Sequence, residues 1–122
     1  MELSVVNHED YLASIGDDHK FPIKKFGELA NFLIKKKIVK NFYKPYPCSE
    51  ETLKRAHSEN YIKDIKNKTL SKEGIKNIGF PLLDSIVKRS FLATGGTVLA
   101  SKLAIQNGVA CNTAGGSHHA SF

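Results

Sequence analysis

"TGGTVLASKLAIQNGVACNTAGGSHH", residues 94–119, carries the reading of the fold. Its first part continues a helical pattern in which Phe91, Leu92, Val98, Leu99, Leu103 and Ile105 are apolar over nearly the whole girth. A helix of that kind is covered on most sides. Gly95 and Gly96 inside it cost about 1 kcal/mol each relative to alanine, so another backbone is expected to approach closely there. Gly108 is a natural helix stop. "VACN" (109–112) then reads as a compact apolar strand, and "TAGGSHH" is the loop leaving its C-terminal end. In open α/β sheets ligands bind outside the carboxyl ends of the strands, so chemistry is expected on this loop.

Working outward, "LSVVNH" (3–8) predicts a short buried strand running into a loop. "DDHKFP" (17–22) reads as loop, because Pro22 biases Phe21 away from helix. Helical spacing of Phe26, Leu29, Ala30 and Leu33 predicts a helix from Lys24 to about Lys37. A second strand is expected in "IVKNFY" (38–43), ended by "KPYP". Ser49 reads as an N-cap with Glu50 and Glu51 at the positive end of a helix, Leu53 and Ala56 forming its buried side. Ser58 caps another turn, with Tyr61, Ile62 and Ile65 facing inward. "NKTLSKEGIKNIG" (67–79) reads as a polar, exposed connection. Pro81 suits the first position of the next helix, where Leu82, Leu83, Ile86 and Val87 pack. The order of strands and helices is that of an α/β protein with a parallel sheet.

At 122 residues, 41% hydrophobic and 25% charged, the chain has the make-up of one folded domain. No apolar run reaches the roughly 20 residues that cross a bilayer, and "MELSVVNHEDYL" lacks the pattern of a secretory signal. Cys48 and Cys111 have no metal-type spacing and read as reduced thiols of a cytoplasmic protein, Cys111 as an inert buried one. The net charge of +6 is spread over lysines between apolar positions. Even the densest run, "KKKIVK" (35–40), has no interleaved aromatics, so it reads as a solvated helix face and not a nucleic-acid surface.

His118 and His119 are the candidates for proton chemistry, because imidazole titrates near neutrality. On an irregular loop both can turn into one pocket. Gly115 and Gly116 favour that by tolerating unusual backbone angles and close approach of a substrate. Taken as residues alone, the pair reads by default as a surface feature, and the spacing supplies no third metal ligand. His8, His19 and His57 read as loop or helix-surface residues with local hydrogen bonds.

These segments together resemble the histone deacetylase superfamily. "NTAGGSHHASF" is similar to its glycine-glycine-x-histidine-histidine loop, "HKFPIKKF" to its His-x-x-Pro segment and "KRAHSENYI" to its Val-His-Ser-x-x-Tyr-Ile segment. "TGGTVLASKLAIQNG" resembles the long helix before the active-site strand. With "KFGELANFLIKKKIV", it looks closest to the class IV branch and its bacterial relatives. The resemblance implies a three-layer arginase/deacetylase-like fold and zinc-dependent hydrolysis of acetylated or acylated lysine or a related amide. By position, His119 matches the general base and His118 its charge-stabilising neighbour. Gly115 and Gly116 match the pocket wall, and His19 and Pro22 a loop lining the pocket mouth.

In the family the zinc ligands, an Asp-x-His pair and a distant Asp, follow the histidine pair, as do the carboxylates and tyrosine that complete the site. The resemblance therefore implies that residues 1–122 form the N-terminal portion of such a domain, with a truncated sheet. Such a chain is expected to be inactive alone, without its metal ligands, and to need a separate chain carrying the C-terminal part. The rival expectations are a non-enzymatic remnant or partner-binding module and, on net charge alone, a nucleic-acid-binding module.

Overall fold

The computed structural model describes residues 3–13, 15 and 22–115. Strand β1, Ser4–Val6, is buried at all three positions. Burial on both faces is what a contiguous valine pair in a parallel sheet requires. A 3-10 turn, Glu9–Tyr11, follows; His8 Nδ1 caps it by accepting the Asp10 N–H at 2.9 Å. Helix α1, Lys25–Lys35, buries Phe26 and Ala30 beneath an exposed lysine face. Three short helices come next: α2 (Glu50–Leu53), α3 (Glu59–Asn67) and α4 (Lys72–Ile78). Helix α5, Asp84–Asn107, then runs for 24 residues into Gly108 and strand β2, Ala110–Asn112.

β1 and β2 pair in parallel, with Ser4 opposite Ala110, Val5 opposite Cys111 and Val6 opposite Asn112. A parallel pair needs a long crossover, here the whole helical run between them. Tyr43 forms an isolated parallel bridge to Val6. The Tyr43 N–H donates to the Val5 carbonyl at 2.9 Å, whereas the Val6 carbonyl accepts from the Thr113 N–H at 3.0 Å. Successive carbonyls of a strand point to opposite edges, so β1 is flanked on both sides. The strand expected over 38–43 thus shrinks to one bridging residue. Pro45 and Pro47, which carry no N–H, follow at once and leave no donors with which to extend a ladder.

The serine caps behave as expected. Ser49 Oγ accepts from the Thr52 N–H at 3.2 Å and Ser58 Oγ from the Tyr61 N–H at 3.2 Å. Other expectations need correcting. The segment 67–79 is not a connection, because α4 forms within it between the Ser71 cap and Gly79, whose φ of 80° closes the helix. Pro81 does not begin α5; Leu83 is extended and Asp84 opens the helix. Leu53 is half-buried and Ala56 exposed, since α2 is a single turn with no buried residue. Leu29 and Leu83 are also exposed.

Gly95 and Gly96 are explained by what crosses α5. A Cβ on Gly95 would run into the Tyr46 carbonyl oxygen and stand 3.0 Å from the Cys48 nitrogen. That nitrogen donates to the Phe91 carbonyl at 2.9 Å, tying the 46–48 backbone onto the helix. α5 is less covered than its composition suggests, however: Leu92 and Leu103 are buried, but Ile105 is 86% exposed. No helix among the described residues is long and apolar enough to cross a membrane.

Candidate functional site

The C-terminal end of β2 meets the end of β1, and one side chain organises the junction. The Asn112 carboxamide has two donor hydrogens and an oxygen with two lone pairs. Its Oδ1 accepts from the Tyr11 hydroxyl at 2.8 Å and from the Ala114 N–H at 3.4 Å. Its Nδ2 donates to the Ala93 carbonyl at 3.2 Å and to Thr97 Oγ1 at 3.4 Å. Asn112 therefore joins the 3-10 turn, α5 and the exit loop with no group left over. Thr113 Oγ1 donates to Asn7 Oδ1 at 2.7 Å, which locks the two strand ends side by side. Gly96 makes the junction possible, because a Cβ there would occupy the place of the Tyr11 hydroxyl and stand 2.7 Å from Asn112 Nδ2.

Arg89 extends the network. It is 6% exposed, and its Nε donates to the Tyr11 carbonyl at 2.8 Å. Its guanidinium lies 4.6 Å from the centre of the Phe26 ring. Nη2 is buried without a hydrogen-bond partner. Burial draws the guanidinium below its very basic ordinary range. Burial likewise pushes the Tyr11 phenol up to about 12, against the opposing effects of Asn112 and the Arg89 charge. Tyr11 is thus held as a proton donor to Asn112 at every physiological pH. At the rim, Lys88 bonds Asp10 at 2.9 Å and holds its carboxyl below the usual range.

These contacts connect the segments that hold the expected site residues. Pro22 is exposed, and its carbonyl accepts from the Lys25 N–H at 3.0 Å at the start of α1. From α1, contacts run through Phe26, Arg89, Tyr11 and Asn112 to the loop bearing Gly115. Ala13, Ile23, Phe26 and Ala114 pack in one apolar core with Tyr11, so both loops are rooted in the same cluster. Gly115 is exposed, and a Cβ built there meets nothing within 4 Å. His19, Gly116, His118 and His119 lie outside the described residues.

Among the described residues no group of three or more His, Cys, Asp and Glu side chains could hold a metal ion. Cys111 is exposed, contrary to the buried thiol expected of an apolar strand, whereas Cys48 is buried and its thiol pKa raised by that burial. In β2 only the flanking Ala110 and Asn112 are partly buried, and Cys111 between them is exposed.

Tyr11, Asn112 and Arg89 were not singled out by sequence reasoning. One signal for Arg89 was available: it is one of two arginines in a chain whose other sixteen such cationic residues are lysines. A solvated face has no need of that exception. Tyr11 and Asn112 carry no local signal, being 101 residues apart.

Comparison with known proteins identifies the family. A family model described as the histone deacetylase domain matches residues 19–122. An uncharacterized protein of Picosynechococcus sp. is 36% identical over 122 residues, covering 98% of this chain and 41% of that protein. Histone deacetylase 2 of Arabidopsis thaliana is 33% identical over 111 residues, covering 83% of this chain and 28% of that protein. The chain therefore spans less than half the length of these curated relatives.

Proposed function

The chain belongs to the histone deacetylase domain family, and on that premise we propose that it supplies the proton-handling part of an acyl-amide hydrolase site. Its substrate class is acetylated or acylated lysine or a related amide. His119 is the general base and His118 the neighbour that stabilises charge. Gly115 and Gly116 form the pocket wall, and His19 and Pro22 line its mouth. Hydrolysis of an amide requires a proton to be taken from water and given to the departing amine. A neutral imidazole beside a protonated one can do both.

One observation supports this reading above the others. The segment leading out of His19–Pro22 and the loop leading into the histidine pair share a single core, through Ile23, Phe26, Tyr11 and Ala114. Two loops far apart in sequence are thus anchored at the carboxyl ends of a parallel strand pair, where α/β proteins place their ligands. Zinc, the metal expected of this family, would polarise the amide carbonyl. No cluster among the described residues fits it; in this reading its ligands lie in the remainder of a three-layer arginase/deacetylase-like domain of which residues 1–122 form the N-terminal portion. A longer gene product or a separate chain would carry that remainder. The class IV branch and a cytoplasmic setting complete the proposal.

The test uses the purified 122-residue chain and an acetyl-lysine peptide. Alone, with or without added zinc, it is expected to give no hydrolysis above background. When the remainder of the domain is supplied in the same or a second chain, activity should appear. His119→Ala should then lower kcat by about 10²–10⁴-fold. Stoichiometric zinc and turnover in the isolated chain would overturn the division of the site, and an unchanged kcat in His119→Ala would overturn the assignment of the base.

A further inference from the structure

α5 packs on a two-strand layer that is closed on one flank and open on the other. Beyond β1, Tyr43 bridges to Val6 and the 46–48 backbone crosses α5 at Gly95. Pro45 and Pro47 offer no N–H there, so the sheet does not grow on that side. Beyond β2 no strand stands among the described residues. The Thr113 N–H donates to the Val6 carbonyl at 3.0 Å, so the backbone groups of Cys111 and Thr113 turn toward β1. Successive strand residues face opposite edges, which leaves the N–H and C=O of Ala110 and Asn112 on the open edge. None of these groups has a hydrogen-bond partner among the described residues. We infer that this edge docks a β-strand from the part of the domain that the chain does not contain, pairing at Ala110 and Asn112.

The chemistry of the edge selects its occupant. Donors and acceptors that recur at every second residue along one line match an extended backbone, whereas a helix has already spent its own backbone groups. Sheet edges that face water are guarded by lysine, proline or a bulge. Residues 109–113, Val-Ala-Cys-Asn-Thr, contain neither a charge nor a proline. Strands of a parallel sheet are buried on both faces, as β1 is at all three positions. β2 has the apolar make-up of such a strand without the cover, for Cys111 is exposed and Val109 is 53% exposed. Thr97, which accepts from Asn112 Nδ2, is exposed as well, so the flank of α5 beside this edge is also bare. The chain spans less than half the length of its curated relatives, and the missing part is large enough to supply the strand. A second copy could offer only its own short β2, because its β1 is flanked on both sides. The edge runs straight into residues 113–115. A strand laid along it therefore delivers the partner's side chains beside the loop that leads to His118 and His119.

The inference rests on the proposed reading of residues 1–122 as one portion of a longer domain, and its test is independent of hydrolysis. The probe is the portion of the Picosynechococcus protein that lies outside its match to this chain, mixed with the purified 122-residue chain. Amide hydrogen exchange read by NMR is expected to be fast at Ala110 and Asn112 in the chain alone and slow at Cys111 and Thr113. Adding the probe should protect Ala110 and Asn112. Ala110→Pro removes an N–H that β1 does not use, so the chain should keep its thermal midpoint while its affinity for the probe falls about tenfold or more. Val109→Lys, which adds a charge beside the edge and leaves the backbone intact, should weaken association in the same direction. No association, protection of Ala110 and Asn112 in the chain alone, or affinity unchanged in both variants would each overturn the inference. Dimerisation of the chain by itself that Ala110→Pro abolishes would overturn it too, by assigning the edge to a second copy. Docking at Ala110 that brings no turnover of an acetyl-lysine peptide would leave the edge standing and remove the proposed activity. Turnover that Ala110→Pro and Val109→Lys leave unchanged would do the reverse.

Discussion

Replacing Gly96 with alanine places a methyl group where the Tyr11 hydroxyl and the Asn112 carboxamide meet. In an ordinary helix interior the change would stabilise by about 1 kcal/mol. Here the methyl must displace the Tyr11–Asn112 hydrogen bond, whose partners have nowhere else to turn. Leaving such a buried group unsatisfied costs about 1–3 kcal/mol, and overpacking adds about 1–3 kcal/mol. The expected net is a loss of about 3 kcal/mol, within a range of about 1–5, once the helix gain is subtracted. Gly95→Ala should be worse, because its methyl meets the backbone of Tyr46 and Cys48, which cannot swing aside as a side chain can. Gly27→Ala is the control. That glycine lies in α1 with nothing within 4 Å of an added Cβ, so the helix gain stands alone. Urea unfolding at neutral pH reads all three through their midpoints at constant slope. The expected order is Gly27→Ala above the parent chain, with Gly96→Ala below it and Gly95→Ala lowest. Tyr11→Phe removes the obstructing oxygen, so combined with Gly96→Ala it should cost less than the sum of the two changes, by about 1 kcal/mol. A Gly96→Ala midpoint at or above that of the parent would refute the reasoning.

Three further outcomes follow from the same structure. Tyr11 holds its proton more tightly folded than unfolded, with a pKa of about 12 against an ordinary 10.0. Its contribution is therefore complete below pH 10 and is lost as pH rises from 10 toward 12, amounting to about 2–3 kcal/mol. Denaturant titrations across that window should show the loss in the parent and a shallower decline in Tyr11→Phe. Exposed Cys111 should react with a thiol-specific aryl disulfide well before buried Cys48, giving one fast equivalent per folded chain that Cys111→Ser removes. Two equal rates would contradict the packing around Cys48. Lys37 is exposed and has a left-handed φ of 58°. Lys37→Gly should raise thermal stability by about 0.5–1 kcal/mol, a shift that calorimetry can resolve.

Features of the fold that depend on neighbouring residues were legible in the sequence. β1, α1, the Ser49 and Ser58 caps and the Gly108 stop each follow from a few adjacent side chains. Even the need for a close crossing at Gly95 could be read from its cost in a helix. α4 escaped because its seven residues bury no side chain, so no apolar stripe reveals it; only Ser71 and Gly79 at its ends carry the signal. The strand expected at 38–43 failed for the opposite reason. Its composition suits a strand, but the sheet offers Tyr43 only a single bridging position. The histidine loop was recognisable from its residue types. The framework behind it was not, because Tyr11, Arg89 and Asn112 acquire meaning only when the two ends of the chain come together.

That meeting of the ends also governs when the site can form. α3 and α4 close on their own serines and need only local contacts. Ser4–Val6, by contrast, must wait for Ala110–Asn112, more than a hundred residues later. Contacts so distant in sequence are slow to close, since the intervening chain must give up its freedom before they form. The strand pair is therefore expected to form late in folding, and Asn112 meets the Tyr11 hydroxyl only when it does. During synthesis the N-terminal valines remain without their partner strand until nearly the whole segment has emerged. The order in which the molecule acquires its parts is thus helices first and the strand pair after them.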